Sequence, residues 1–108
     1  MTREYPPEVY GGAGVHVEYL ARELGRLEAL TVHCWGGDRD GAVAHRAWEA
    51  LDGAGAHVAA LRAMSIDLSM AAAVEGAELA HSHTWYAQLA GHLAKLTYGI
   101  PHVTTVHS

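Results

Sequence analysis

The chain has 108 residues, 50% hydrophobic and 18% charged, a profile that fits one small domain with a single core and excludes a disordered segment. Seven basic residues against twelve acidic ones give a formal net charge of −5 with no basic stripe, which argues against nucleic acid or a membrane surface as partner. No apolar run approaches the roughly 20 residues of a membrane span, and the single cysteine, Cys34, cannot form an internal disulfide, so a cytoplasmic setting is expected.

The chain opens on Glu4-Tyr5-Pro6-Pro7-Glu8-Val9-Tyr10-Gly11-Gly12-Ala13-Gly14. The two prolines bar helix through the first half of this run. The three glycines let the backbone turn tightly and lie close to a ligand. An amphipathic helix follows, with Val17, Leu20, Ala21, Leu24 and Leu27 at helical spacing. Its first N–H groups and the positive end of its dipole point into the glycine turn, which suits a phosphate or diphosphate. An ordinary tight loop before a helix has the same pattern. A dinucleotide fingerprint is excluded, because the run from Gly12 places Val17 where the third glycine belongs. The Gly-Lys-Ser/Thr phosphate loop is absent as well.

Residues 30–35 are apolar and β-branched and predict a strand stopped by Gly36-Gly37-Asp38. Residues 39–55 read as a loop with one helical turn near residues 47–51. Residues 56–74, rich in alanine, leucine and methionine, predict helix, either unbroken or interrupted near Ser65. Residues 78–83 predict a strand. A helix starts at about Trp85, with Trp85, Leu89, Leu93 and Leu96 as its apolar face and Gly99 and Pro101 as its stop. Residues 102–107 predict a last strand, and the last two strands read as buried on both faces. This alternation implies α/β architecture, a Rossmann-like parallel sheet with helices on both faces. Ligands of such sheets bind beyond the carboxyl ends of the strands, where the glycine turn, His83 and His107 would meet.

The nine histidines are scattered. His81 and His83, two apart, share a strand face at acceptable metal-ligand spacing, but no nearby carboxylate or cysteine cluster completes a set, so no metal is expected. His16, His33, His45, His57, His92 and His102 read as structural or surface residues. Trp85 and Tyr86 could stack on a sugar or a base, although the helical spacing of Trp85 reads more simply as core. Tyr5 and Tyr10 flank the glycine turn, and Tyr10 is assigned to substrate. Ser65, Ser69 and Ser82 show no partner pattern for a hydrolase triad.

Residues 2–17, from Thr2 through the Pro-Pro and Gly-Gly pairs to Val17, resemble the amino-terminal signature of the actinobacterial glycogen synthases. Those are retaining glycosyltransferases of family four with the two-domain GT-B fold. The likeness continues in Val32-His33-Cys34-Trp35-Gly36, in Ser69-Met70-Ala71-Ala72-Ala73, in His81-Ser82-His83-Thr84-Trp85-Tyr86 and in Thr105-Val106-His107-Ser108. The resemblance implies transfer of glucose from ADP-glucose to an α-glucan or to glucose 1-phosphate, with retention and without metal or other cofactor. It places Gly11 and Gly12 at the donor diphosphate, His107 as the catalytic histidine near the transferred sugar, and His83 and Trp85 at the cleft edge. The starch-synthase branch has a phosphate-binding lysine two residues before its glycine pair. Here that residue is Val9, so phosphate charge must be met elsewhere, by Arg3 or by another domain. By the same resemblance, residues 1–108 form a partial amino-terminal, acceptor-side domain without its first strand and without the donor-binding carboxyl-terminal domain. Such a piece is expected to be inactive alone. The alternative is a truncated, non-catalytic α/β fragment, at most a weak sugar-phosphate binder.

Overall fold

A computed structural model describes residues 1–53 and 55–107. In chain order the elements are α1 (Gly12–Leu24), β1 (His33–Trp35), β2 (Val43–His45), α2 (Ala59–Ala72), β3 (Ala80–His83), α3 (Thr84–Tyr98) and β4 (His102–Thr105). Single turns of tighter 3-10 helix occupy Glu49–Leu51 and Ala56–Val58. The strands pair in parallel as β1–β2 and β3–β4.

Met1 and Thr2 join the two pairs. Thr2 bridges in parallel to Cys34 and donates its N–H to the His33 carbonyl at 3.0 Å. On the other side the Met1 nitrogen donates to the His81 carbonyl at 2.7 Å, and the Met1 carbonyl accepts the His83 N–H at 3.0 Å. The backbone order is therefore β2, β1, Met1–Thr2, β3, β4. The facing edges of β1 and β3 find partners in these two residues.

Side chains alternate across this sheet, so each face meets a different helix. His81 and His83 face α1, where His16 reaches His83. Ser82 and His102 point the other way, toward Gly91 of α3. The core on that side consists of Ile66, Met70, Ala87 and Ala90, continued by Val74, Ala80, Ala94 and Ile100, and Met1 packs against both groups. Helices thus flank both faces, as the alternation of elements implies. No helix among the described residues is long and apolar enough to cross a membrane.

Several expectations are corrected. Strand β2 lies inside the stretch read as loop. It is three residues long, and residues 36–42 return the chain parallel to β1 through turns at Gly36 (φ +106°) and Gly41 (φ +78°). Helix α1 ends at Leu24, leaving Leu27 in the following turn and 78% exposed. Helix α2 runs unbroken through Ser65. The hydroxyl there donates to the Arg62 carbonyl and accepts the Trp48 N–H, so its polar group has partners inside the fold.

The apolar face of α3 is the largest correction. Its buried stripe is Ala87, Ala90, Gly91 and Ala94, while Trp85 and Leu96 are 69% and 68% exposed. Small residues let the helix lie close on α2 and the sheet, and that closeness turns the bulky side chains outward. Strand β4 ends at Thr105 and is half open on both faces, since Val103 is exposed and Val106 lies beyond the strand, also exposed.

Candidate functional site

The carboxyl ends of Met1–Thr2, β1, β3 and β4 lie along one edge of the sheet. The segment between Thr2 and α1 crosses this edge and is held by Arg39, whose side chain is only 4% exposed. Its guanidinium donates to the carbonyls of Tyr5 (2.6 Å), Pro6 (3.4 Å), Trp35 (3.0 Å) and Gly37 (2.9 Å) and pairs with Glu8 at 3.3 Å. A fixed planar fork of five donors suits such a set of convergent acceptors. Gly36 passes against this pair, and a Cβ there would overlap the Glu8 carboxylate and the Arg39 guanidinium.

The glycine turn already carries a negative group from its own chain. The Glu4 carboxylate accepts the N–H groups of Tyr10 (2.9 Å) and Gly11 (3.0 Å). Gly14 has to be small, because a Cβ would come within 2.7 Å of that carboxylate and 2.8 Å of Val9. Gly11 and Gly12 differ: a Cβ on either meets nothing within 4 Å, and Gly11 is in extended conformation. Among the described residues neither strain nor crowding calls for glycine at 11 or 12, and open space lies before them. Among the described residues no side chain caps α1, so its leading N–H groups remain directed into that space.

Next to the amino end of α1 stand four histidines. His83 Nδ1 lies 3.3 Å from His107 Nε2. The His16 ring sits 5.2 Å from that of His107 and 5.9 Å from that of His83. His81 stacks 4.2 Å from His83 and shares a 2.7 Å hydrogen bond between its Nε2 and Thr105 Oγ1. Burial, followed by repulsion from His81, holds the His83 imidazole down to about 3, so it is neutral at physiological pH. A neutral His83 in contact with His107 Nε2 fixes the ring of His107 and leaves its Nδ1 for another partner. Thr84, immediately after His83, has φ +62°, an unusual conformation for a β-branched residue. It turns β3 directly into α3 without a loop, and its buried hydroxyl has no partner among the described residues.

On the other side of the crossing segment an open groove of about 800 Å³ lies between Arg3, Tyr10, Trp35 and the start of α2. Arg46 and Arg62, which line it, pair with Asp38 (3.8 Å) and Asp52 (2.7 Å). Arg3 instead lies over the Tyr86 ring at 4.1 Å and the Trp35 ring at 5.6 Å, and among the described residues no carboxylate pairs with it. Behind the groove, the Trp35 indole N–H and the Asp67 carboxyl face each other without reaching hydrogen-bond geometry. Burial pushes Asp67 up to about 7.

Of the residues assigned from sequence, His83, His107 and the glycine turn do come to one edge, and Tyr10 lines the groove, 73% exposed. Trp85 is neither core nor in the histidine cluster; it stacks on Tyr86 at the surface, ring centroids 3.8 Å apart. Sequence reasoning missed two residues. His16 read as structural or surface and proves to face His83 and His107, one turn into the helix that the glycines open. Arg39 read as the start of a polar loop. Only its position directly after Gly36-Gly37-Asp38 hinted that it could reach back to the strand end.

Residues 10–108 match the Glycosyltransferase Family 4 domain. Over its 108 residues the chain is 56% identical to the alpha-maltose-1-phosphate synthase of Mycolicibacterium smegmatis and 57% identical to that of Mycobacterium tuberculosis. These alignments cover 100% of this chain and 27% of each relative, so the chain spans about a quarter of the length of the curated relatives it matches.

Proposed function

The chain belongs to glycosyltransferase family 4, and on that premise we propose that it forms the acceptor-side wall of a site that moves glucose from ADP-glucose, with retention, to glucose 1-phosphate or an α-glucan. The rest of that site would come from a second Rossmann-like domain in a GT-B arrangement. The observation that carries the reading is the meeting of His107, His83 and the amino end of α1 at the carboxyl edge of one parallel sheet.

In this reading transfer forms a bond from C1 of glucose to an acceptor hydroxyl oxygen on the face where the C1–oxygen bond to the diphosphate breaks, and the hydroxyl proton passes to the leaving diphosphate oxygen. Negative charge builds on the leaving oxygen as its bond breaks. The leading N–H groups of α1, uncapped by any side chain, face that charge, and the open space before Gly11 and Gly12 lets the diphosphate approach. His107, oriented by His83, turns its free nitrogen to the transferred sugar. Arg3, lying on Tyr86 and Trp35, offers a cation to the phosphate of a glucose 1-phosphate acceptor. The relatives carry a name with a phosphorylated product, which favours glucose 1-phosphate as acceptor. Tyr10 in the groove and Trp85, exposed at the start of α3, offer aromatic faces to sugar rings.

The test uses the complete polypeptide with ADP-glucose, and glycogen and glucose 1-phosphate as parallel acceptors. His107→Ala is expected to lower kcat about 10²- to 10³-fold, as loss of one transition-state contact does. Near-normal turnover would refute the role of His107. Arg3→Ala is expected to raise KM for glucose 1-phosphate and leave KM for glycogen unchanged.

A further inference from the structure

We propose that His16, His83 and His107 together bind a divalent transition-metal cation of the zinc type, at a site that blocks the transferase reaction when filled. One ring nitrogen from each residue lies within 4.8 Å of those of the other two. Zinc bound tetrahedrally through nitrogens at about 2.0–2.1 Å separates neighbouring ligand atoms by about 3.3–3.4 Å. The His83 Nδ1 to His107 Nε2 distance, 3.3 Å, is already that spacing. The third ligand has the least to hold it back: His16 is exposed on α1 and can rotate inward to close the set.

The surroundings suit three protein ligands and one open position. His81 is next to His83, but its Nε2 is engaged with Thr105 Oγ1, so it braces the buried ligand and does not join the set. Imidazole nitrogens without a carboxylate or thiolate favour zinc, copper or nickel over magnesium or calcium. The ligands come from three separate elements, α1, β3 and the residues after β4, so the site exists only in the folded protein. His107 Nε2 and His83 Nδ1 cannot hold a cation and orient the His107 ring for sugar at once. The cation is therefore an inhibitor that competes with the catalytic arrangement.

Cation binding is measured without turnover and stands apart from the transferase reading, whereas the inhibitory role rests on that reading, with which the site shares His83 and His107. The experiment is equilibrium dialysis of the complete polypeptide against Zn²⁺, with Co²⁺ taken up in its place to report coordination by its visible absorption. One retained equivalent, removed by chelator, is expected, with Co²⁺ bands of a four-coordinate site. His16→Ala, an exposed position where folding is not at stake, should lower affinity about tenfold or more, and His107→Ala likewise. His57→Ala, on the exposed turn before α2, should leave it unchanged. No retention, or retention that survives His16→Ala, overturns the site. If Zn²⁺ binds and activity is unchanged, the inhibitory role is overturned; if the His107→Ala enzyme turns over normally while the unsubstituted protein binds Zn²⁺, the transferase role of His107 and the inhibitory role fail together and the cation site stands.

Discussion

Asp67 is 3% exposed, held up to about 7 by burial, and faces an indole N–H that it does not quite reach. Its titration has a definite sign. Below an unfolded value of 3.8 the carboxyl is protonated in both states. Between 3.8 and about 7 the unfolded chain releases the proton while the folded one keeps it, so stability falls as pH rises through this window and levels above it. His33 acts oppositely. Burial and its contact with His45, 3.0 Å between Nδ1 and Nε2, hold it down to about 4, so folding gains as pH rises from about 4 toward 6.5. The two cancel in part in the wild-type curve, but a difference between variants separates them. Asp67→Asn removes only the falling arm. Its stability relative to wild type should climb by roughly 2–4 kcal/mol between pH 4 and pH 7 and stay level above, read by urea unfolding at each pH. A difference independent of pH would mean that Asp67 ionises in the folded protein as it does in the unfolded one.

At the scale of elements, α3 makes the sharpest demand. Gly91 lies against the imidazole of His102, itself held by Ser82 Oγ at 2.7 Å, and a Cβ would overlap that ring. In an open helix Gly→Ala would stabilise by up to about 1 kcal/mol. Here overpacking outweighs propensity, and Gly91→Ala should destabilise by about 1–3 kcal/mol. In a His102→Ala background the same change should become neutral or favourable, and a double-mutant cycle by denaturant unfolding reads this coupling. The same helix shows what sequence could convey. Its existence and its stop at Gly99 (φ +70°) follow from local pattern and were legible. Its buried face was not, because Trp85, Leu89, Leu93 and Leu96 fit helical spacing as well as Ala87, Ala90, Gly91 and Ala94 do. What decides between them is how closely α2 approaches, a long-range fact. Strand β2 is hidden for a similar reason: three residues are too few for periodicity, and its pairing to β1 depends on the turns between them. The edge where ligands would bind was legible, since it follows from strand order and direction. His16 as a partner of His83 and His107 was not, since no spacing in the chain brings three elements together.

At the scale of the whole molecule, the crossing segment has to be held over the sheet edge for either reading of the site, and Arg39 does that. It reaches 34 residues back to the Tyr5 carbonyl and binds Pro6 and Glu8 on the same segment, while two further donors stay with Trp35 and Gly37 at the end of β1. Its carbonyl partners sit on both sides of the junction, so its loss separates the segment from the strand. Arg39→Met keeps the aliphatic volume and removes every donor. Leaving charge-assisted acceptors and Glu8 without their partner should cost about 3 kcal/mol, seen as a lower denaturation midpoint at unchanged slope. Arg39→Lys retains charge but presents a point donor that cannot span four carbonyls, so it should recover only part of this. The effect extends to the site, since Glu4, Tyr10 and Gly11 belong to the held segment. In the complete polypeptide at a temperature where both proteins are folded, Arg39→Met should lower kcat while Arg39→Lys restores part of it, although Arg39 itself faces no sugar. A purely stabilising role would instead lower the midpoint and leave kcat of the folded enzyme intact, and that outcome would confine Arg39 to the fold.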